Sequence, residues 1–145
     1  MSVMNGMNIS ASGMTAQRLR MDIISQNIAN VNTTRDENGN PYKRKAVVFA
    51  EKDVTPFGAV LMQTAGTAGN GVKVSSIVED NETAMRKVYD PNNPDADDEG
   101  YVTYPNVNIV QEMTDLIDAT RSYEANVTAF NASKNMALKG LEIGK

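Results

Sequence analysis

The densest set of metal-type ligands in the chain is Asp95, Asp97, Asp98 and Glu99, closed by Gly100. Oxygen donors at loop positions 1, 3 and 5 with glycine at 6 match the first half of a calcium-binding EF-hand loop. Position 12 needs a bidentate carboxylate and is Asn106, and Pro91 and Pro94 forbid the helix that should lead in. A solvated acidic turn is the plainer reading, with a calcium-binding module kept as the third alternative. Glu112, Asp115 and Asp118 form a second carboxylate group, with Asp115 and Asp118 neighbours at i,i+3. Acid–base chemistry would need an opposing carboxylate or base, and no motif supplies one, so a solvated helix face is expected. The sequence has no His and no Cys. Imidazole bases, thiolate nucleophiles, disulfides and the usual zinc sites are thereby excluded. No enzyme, metal or cofactor is expected.

Amides and one phenol remain. Asn27 and Asn30 flank Ile28 near the end of a predicted helix, where asparagine commonly caps. The alternative is hydrogen bonding between subunits that fixes register, as buried polar residues do in coiled coils. Capping suits Asn30 better; Asn27 fits either role. Tyr123, beside Arg121 and Glu124, reads as core packing whose hydroxyl needs a partner if buried.

Two long helices must position these groups. From about Asn8 to Val31 the chain lacks proline, and Met7, Met14, Met21, Ile24, Ile28 and Val31 return to one side of a helix. Ile9, Ala16, Leu19 and Ile23 make a second stripe on the opposite side. At the other end Ile109, Met113, Leu116, Thr120, Tyr123, Val127, Phe130, Lys134, Ala137 and Leu141 alternate spacings of four and three, a heptad seam. Asn108 with Gln111 has capping-box spacing after Pro105, and Gly140 and Gly144 offer stops. Ala125, Ala129, Ala132 and Met136 form a small-residue face open to close approach. Between the helices, Lys45–Ala50 and Val72–Val78 read as strands, the second with a bulge at Ser75-Ser76. Met85–Tyr89 is expected to pair with one of them. Residues 36–41, 66–71 and 90–100 read as turn or loop.

The resulting fold class is α+β: long N- and C-terminal helices in a coiled-coil-like pair, with a small β-rich middle domain. The expected divisions are an N-terminal helix in 1–35, a β-rich insert in 36–105 carrying the acidic loop 90–100, and a heptad helix in 106–145. One hundred and forty-five residues fit one domain's worth of chain. A net charge of −4 disfavours nucleic acid, which needs a basic surface; Lys43-Arg44-Lys45 is too short to reverse that. No stretch is apolar enough to span a membrane, and residues 1–15 lack the apolar run of a secretory signal.

A surface helix of a monomer needs one apolar stripe, and two opposed stripes need two partners. Self-association is therefore expected, and head-to-tail contacts of that kind make rings or open filaments. The expected assembly interface comprises Met14, Met21, Ile24, Asn27, Ile28, Asn30 and Val31 with Ile109, Met113, Leu116, Tyr123, Val127, Phe130 and Leu141. The alternative is a small soluble helical hairpin that binds another protein.

Gln26-Asn-Ile-Ala-Asn-Val-Asn-Thr33 resembles the NIAN-x-NT signature of bacterial flagellar axial proteins, the rod, hook and hook-associated subunits. Ser10-Ala-Ser-Gly-Met14 and Arg18-Leu-Arg-Met-Asp22 stand where that family has its small-residue and RLD-like segments. Arg121-Ser-Tyr-Glu-Ala-Asn126 resembles its C-terminal helix motif. Residues 41–49, 89–97 and 100–108 resemble the proximal-rod members specifically, as does the insertion Thr34–Pro41 before Tyr42. The resemblance covers nearly the whole chain. It implies a structural subunit of the basal-body rod, exported by the flagellar type III apparatus without a cleaved signal. Such a subunit stacks with copies of itself and other rod proteins across the periplasm and transmits torque. The resemblance further implies terminal helices that are loosely ordered until assembly.

Overall fold

Helix α1 spans Val3–Ala29 and helix α2 spans Ile109–Ile143. At about 1.5 Å per residue they are roughly 40 and 52 Å long. The computed structural model describes residues 3–36, 39–52, 61 and 69–143. Helix α1 begins at Val3 rather than Asn8, its first turns lying against α2 where Gly6 faces Ser133. It ends as Asn30 N–H splits between the Gln26 and Asn27 carbonyls, and Val31 and Thr33 N–H groups turn to carbonyls three residues back. Asn30 Nδ2 also donates to Gln26 O at 2.8 Å, and its Oδ1 accepts from the Thr33 hydroxyl at 3.2 Å, the helix-end role expected of it.

Helix α2 starts where the cap predicts. Asn108 Oδ1 accepts from Val110 N–H at 3.0 Å and Gln111 N–H at 3.4 Å. The reciprocal half of the capping box is missing, since the Gln111 side chain reaches one turn on to Asp115 Oδ1, at 3.5 Å. Gly140 does not stop the helix, which runs on to Ile143; Gly144 lies outside the described residues.

Strand β1, Lys45–Glu51, pairs antiparallel with β2, Val72–Glu79. Val48 faces Ser76 while Phe49 faces Val74, leaving Ser75 as the extra residue of a bulge, where the loss of alternation placed it. Strand β3, Arg86–Tyr89, does not join this sheet as expected but pairs with β4, Tyr101–Tyr104. The acidic segment folds back on itself and makes a second hairpin. Asp90 N–H donates to Gly100 O and Asp97 N–H to Tyr101 O, Tyr89 and Tyr101 meet edge to face at 5.3 Å, and Arg86 lies over the Tyr104 ring. Gly100 is needed for its positive φ of 83°, and an added Cβ would sit 3.0 Å from the Tyr89 ring.

Two carboxylates of the acidic loop have partners within the chain, one inside the loop and one beyond the end of α1. Asp97 Oδ1 accepts from Glu99 and Tyr101 N–H groups, and Asp95 holds the Thr34 hydroxyl at 2.7 Å and Arg35 at 3.4 Å. Across the described residues no three His, Cys, Asp or Glu side chains gather as a metal site. Of the expected turn at 36–41, residues 37 and 38 lie outside the described set, as do 66–68 of the expected break. The apolar core is thin: Ala16, Ile23, Ile24, Val102 and Ala119 are the buried hydrophobic side chains among the described residues.

Candidate functional site

The two helices meet in an antiparallel seam with a single register. A Cβ placed on Gly6 would lie 3.7 Å from Ser133 Oγ, and one on Gly13 only 2.7 Å from Asn126 Oδ1. Asn27 Nδ2 donates to Glu112 Oε2 at 2.9 Å. Each step along α1 from Gly6 to Gly13, Arg20 and Asn27 is seven residues, and so is each step back along α2 from Ser133 to Asn126, Ala119 and Glu112. Glycine on one side and Ala119 or short polar residues on the other let the backbones approach closely. Ser10, Gln17 and Ile24 fill the intervening positions of the α1 row, as Leu116, Tyr123 and Phe130 do on α2.

The apolar heptad row of α2 makes only part of this seam. Leu116, Tyr123, Phe130 and Ala137 are half-buried on the inner side of α2, whereas Ile109, Met113, Thr120, Lys134 and Leu141 of the same heptad pattern are exposed. Their place at the centre is taken by Glu112, Ala119, Asn126 and Ser133, because only small or hydrogen-bonded side chains fit opposite Gly6, Gly13 and Asn27. Met7, Met14, Met21 and Ile28 are likewise half-buried along the flank of α1, not sealed within the seam; Ile24 alone of the apolar residues in that stripe is buried, and Val31 lies half-buried past the helix end. Thr120 Oγ1 sits 3.5 Å from Met21 Sδ, so the methionine row of α1 and the Met113–Thr120–Val127 row of α2 border the same open flank. Ala125, Ala129, Ala132 and Met136, expected to admit another helix, are all exposed and do not face α1. The second α1 stripe turns to the β1–β2 hairpin: Ala16 and Ile23 are buried, and Ser12 Oγ accepts from Val72 N–H at 3.1 Å. Gly71, with φ at 90°, leaves no room for a Cβ against Ser12.

At the lower end of the seam lies a polar anchor. Asn27 is fully buried and uses every hydrogen-bonding position of its amide. Nδ2 donates to Lys45 O at 2.8 Å and to Glu112 Oε2; Oδ1 accepts from Lys45 N–H and from the Tyr42 hydroxyl, each at 2.9 Å. Asn27 thus joins α1, the start of β1 and α2 of the same chain. Glu112, also 0% exposed, pairs through Oε1 with Arg44 Nε at 2.6 Å. Arg44 continues to Asp115 at 3.5 Å, and Arg20 reaches the other Asp115 oxygen at 3.8 Å. Asn106 closes the group, accepting from Arg44 N–H at 2.9 Å and donating to the Asp80 and Thr83 carbonyls. Burial, then the charges of Glu112 and Glu79, push the Tyr42 phenol above its ordinary range. Backbone and hydroxyl donation from Thr83 holds the Asp80 carboxyl below the usual carboxylate range. Sequence reasoning placed Glu112 on a solvated face and did not single out Tyr42, Arg44 or Asn106 as site residues. The available signal was the seven-residue row Glu112, Ala119, Asn126, Ser133, of small or polar residues, which mirrors Gly6, Gly13, Arg20 and Asn27.

Two family profiles cover these helices. "Flagella basal body rod protein" matches residues 7–35, and "Flagellar basal body rod FlgEFG protein C-terminal" matches residues 98–143. The chain is 52% identical over its whole length, and the whole of the relative's, to the flagellar basal-body rod protein FlgC of Bacillus subtilis. It is 43% identical to that of Borreliella burgdorferi, covering 99% of this chain and 98% of the relative, and 39% identical to that of Salmonella typhimurium with both chains fully covered. The chain belongs to the FlgC family. As a FlgC-family member it is a structural subunit of the bacterial flagellar basal-body rod. The two matched segments contain Asn27 and Glu112, so the buried anchor joins the two profile-matched regions across the insert. Among the described residues no helix is long and apolar enough to cross a membrane.

Proposed function

We propose that this subunit builds the rod by packing the open flank of its α1–α2 pair against the helices of neighbouring subunits, copies of itself and other rod proteins. The carrying observation is its unspent surface. Val110, Met113, Ile117, Leu138 and Leu141 of α2 are exposed large hydrophobic side chains that favour burial. Met14, Met21, Ile28 and Val127 border the same flank, while Ile24, Leu116, Tyr123 and Phe130 back it from within; Asn27 and Asn30 serve it by holding the end of α1 in place. On this reading the three divisions at 1–35, 36–105 and 106–145 act as core helix, outer β unit and core helix. The subunit is exported by the flagellar type III apparatus, works in the periplasmic span of the basal body, carries torque rather than catalysing a reaction, and does not bind nucleic acid. A hairpin binding module would share the paired helices but gives no reason for apolar residues along almost the full length of α2. Complementation tests the reading. Cells lacking the chain should make no hook–basal bodies and should regain them when it is supplied; normal basal bodies in its absence would contradict it.

A further inference from the structure

We propose that Asn27 and Glu112 are the register-determining pair of the α1–α2 seam, selecting one alignment among heptad-spaced offsets that the rest of the seam accepts. The seam repeats every seven residues, and Gly6 and Gly13 stand against Ser133 and Asn126, with no room for a side chain at Gly13. Displacing α2 by one heptad, about 10.5 Å, sets Gly6 against Asn126, Gly13 against Ala119 and Arg20 against Glu112. Gly13 then meets Ala119, smaller than the Asn126 it faces in the observed pairing, Gly6 meets Asn126, which Gly13 already accommodates, and the larger Glu112 replaces Ala119 opposite Arg20. Arg20 against Glu112 is an attraction, not a penalty. Small residues therefore set how near the helices come but not which turn meets which.

The anchor breaks this degeneracy. In the displaced alignment Asn27 stands opposite Pro105, where there is no helix to meet it, because α2 begins only at Ile109. One Asn27 donor loses Glu112, and Glu112 leaves Arg44, whose 2.6 Å contact ties α2 to the start of β1. A buried amide with an unmet donor and a guanidinium without its carboxylate both disfavour the slip. This is the role a lone buried polar residue plays in coiled coils, where it fixes alignment at some cost in stability. Here it works within one chain and locks the β1 hairpin to both helices.

The native chain has no cysteine, so engineered disulfides report register against a clean background. The pair Gly6→Cys with Ser133→Cys reads the observed alignment, since a Cβ at residue 6 lies 3.7 Å from the Ser133 oxygen. Gly6→Cys with Asn126→Cys reads the displaced one. With Asn27 and Glu112 intact the 6–133 link should dominate under mild oxidation. Adding Glu112→Ala should raise the 6–126 link at least tenfold at the expense of 6–133, and Asn27→Ala should do the same independently. Glu112→Gln keeps an acceptor for Asn27 and should leave 6–133 dominant. If 6–133 remains the sole link in both alanine variants, register is held elsewhere, at Asn106 for example, and the proposal fails. Loss of the helical circular dichroism signal in both, with no redistribution of links, makes the pair a stability element and overturns it equally.

Discussion

Tyr42 donates a hydrogen bond to Asn27 Oδ1 while Asn27 holds Lys45 and Glu112, so a half-buried loop residue is wired into the buried anchor. Burial first, and the nearby Glu112 and Glu79 charges second, raise its pKa in the folded chain. A raised folded pKa means the native state keeps the proton longer than the unfolded chain does. The associated stability is complete below the unfolded value near 10 and is lost as pH climbs through the folded value. Urea melts above pH 10 should show stability falling with pH, and Tyr42→Phe should flatten that fall while lowering stability at neutral pH. Gln17 is the opposite case. Its Oε1 is the buried side-chain oxygen among the described residues with no hydrogen-bond partner. Gln17→Met, which keeps the length and removes the oxygen, should raise unfolding stability by about 1 kcal/mol, and a drop would show that a solvent bridge satisfies the amide. Neither behaviour is legible in sequence, because both depend on what lies across the seam and not on the residue's neighbours along the chain.

Helix–helix approach is decided at Gly13. Exchanging glycine for alanine inside a helix ordinarily gains about 1 kcal/mol, but here the new methyl would stand 2.7 Å from Asn126 Oδ1. Asn126 is held by its own bond to Ser122 O, at 2.8 Å, and must give that up to move. Gly13→Ala alone should therefore be neutral or destabilising, whereas Gly13→Ala in an Asn126→Ala background should recover the gain of about 1 kcal/mol. Additive effects in thermal denaturation would mean the helices are not in contact there. Apart from β4, which no sequence pattern marked, the elements are plain in the sequence: a heptad pattern, a cap at Asn108, alternation in Val72–Val78 and turn residues around Asp90–Gly100. Partner choice is not. β3 and β4 are short runs whose pairing is set by the returning loop. The centre of the seam is a row of short or hydrogen-bonded residues, not the most apolar one. Apolar periodicity reports which faces leave water, and on α2 one such face is kept for a neighbour.

At the scale of the whole molecule, an antiparallel helix pair is fixed by one polar anchor and carries a β hairpin on one side, with the opposite flank unspent. The two opposed stripes of α1 find both partners inside the chain, namely α2 beside the methionine row and the β1–β2 hairpin over Ala16 and Ile23. The demand for external partners is concentrated on α2. Met113 and Ile117, 54% and 51% exposed, lie on that open face, and their side chains take no part in the anchor's hydrogen bonds. Their replacement separates folding from assembly. The measurement is recovery of hook–basal bodies and swimming in cells carrying Met113→Glu with Ile117→Glu, alongside thermal denaturation of the purified variant. The chain should melt within a few degrees of the unaltered one yet fail to enter rods, leaving the cells immotile. Normal rods built from this variant would show that the open flank is not where the subunits join.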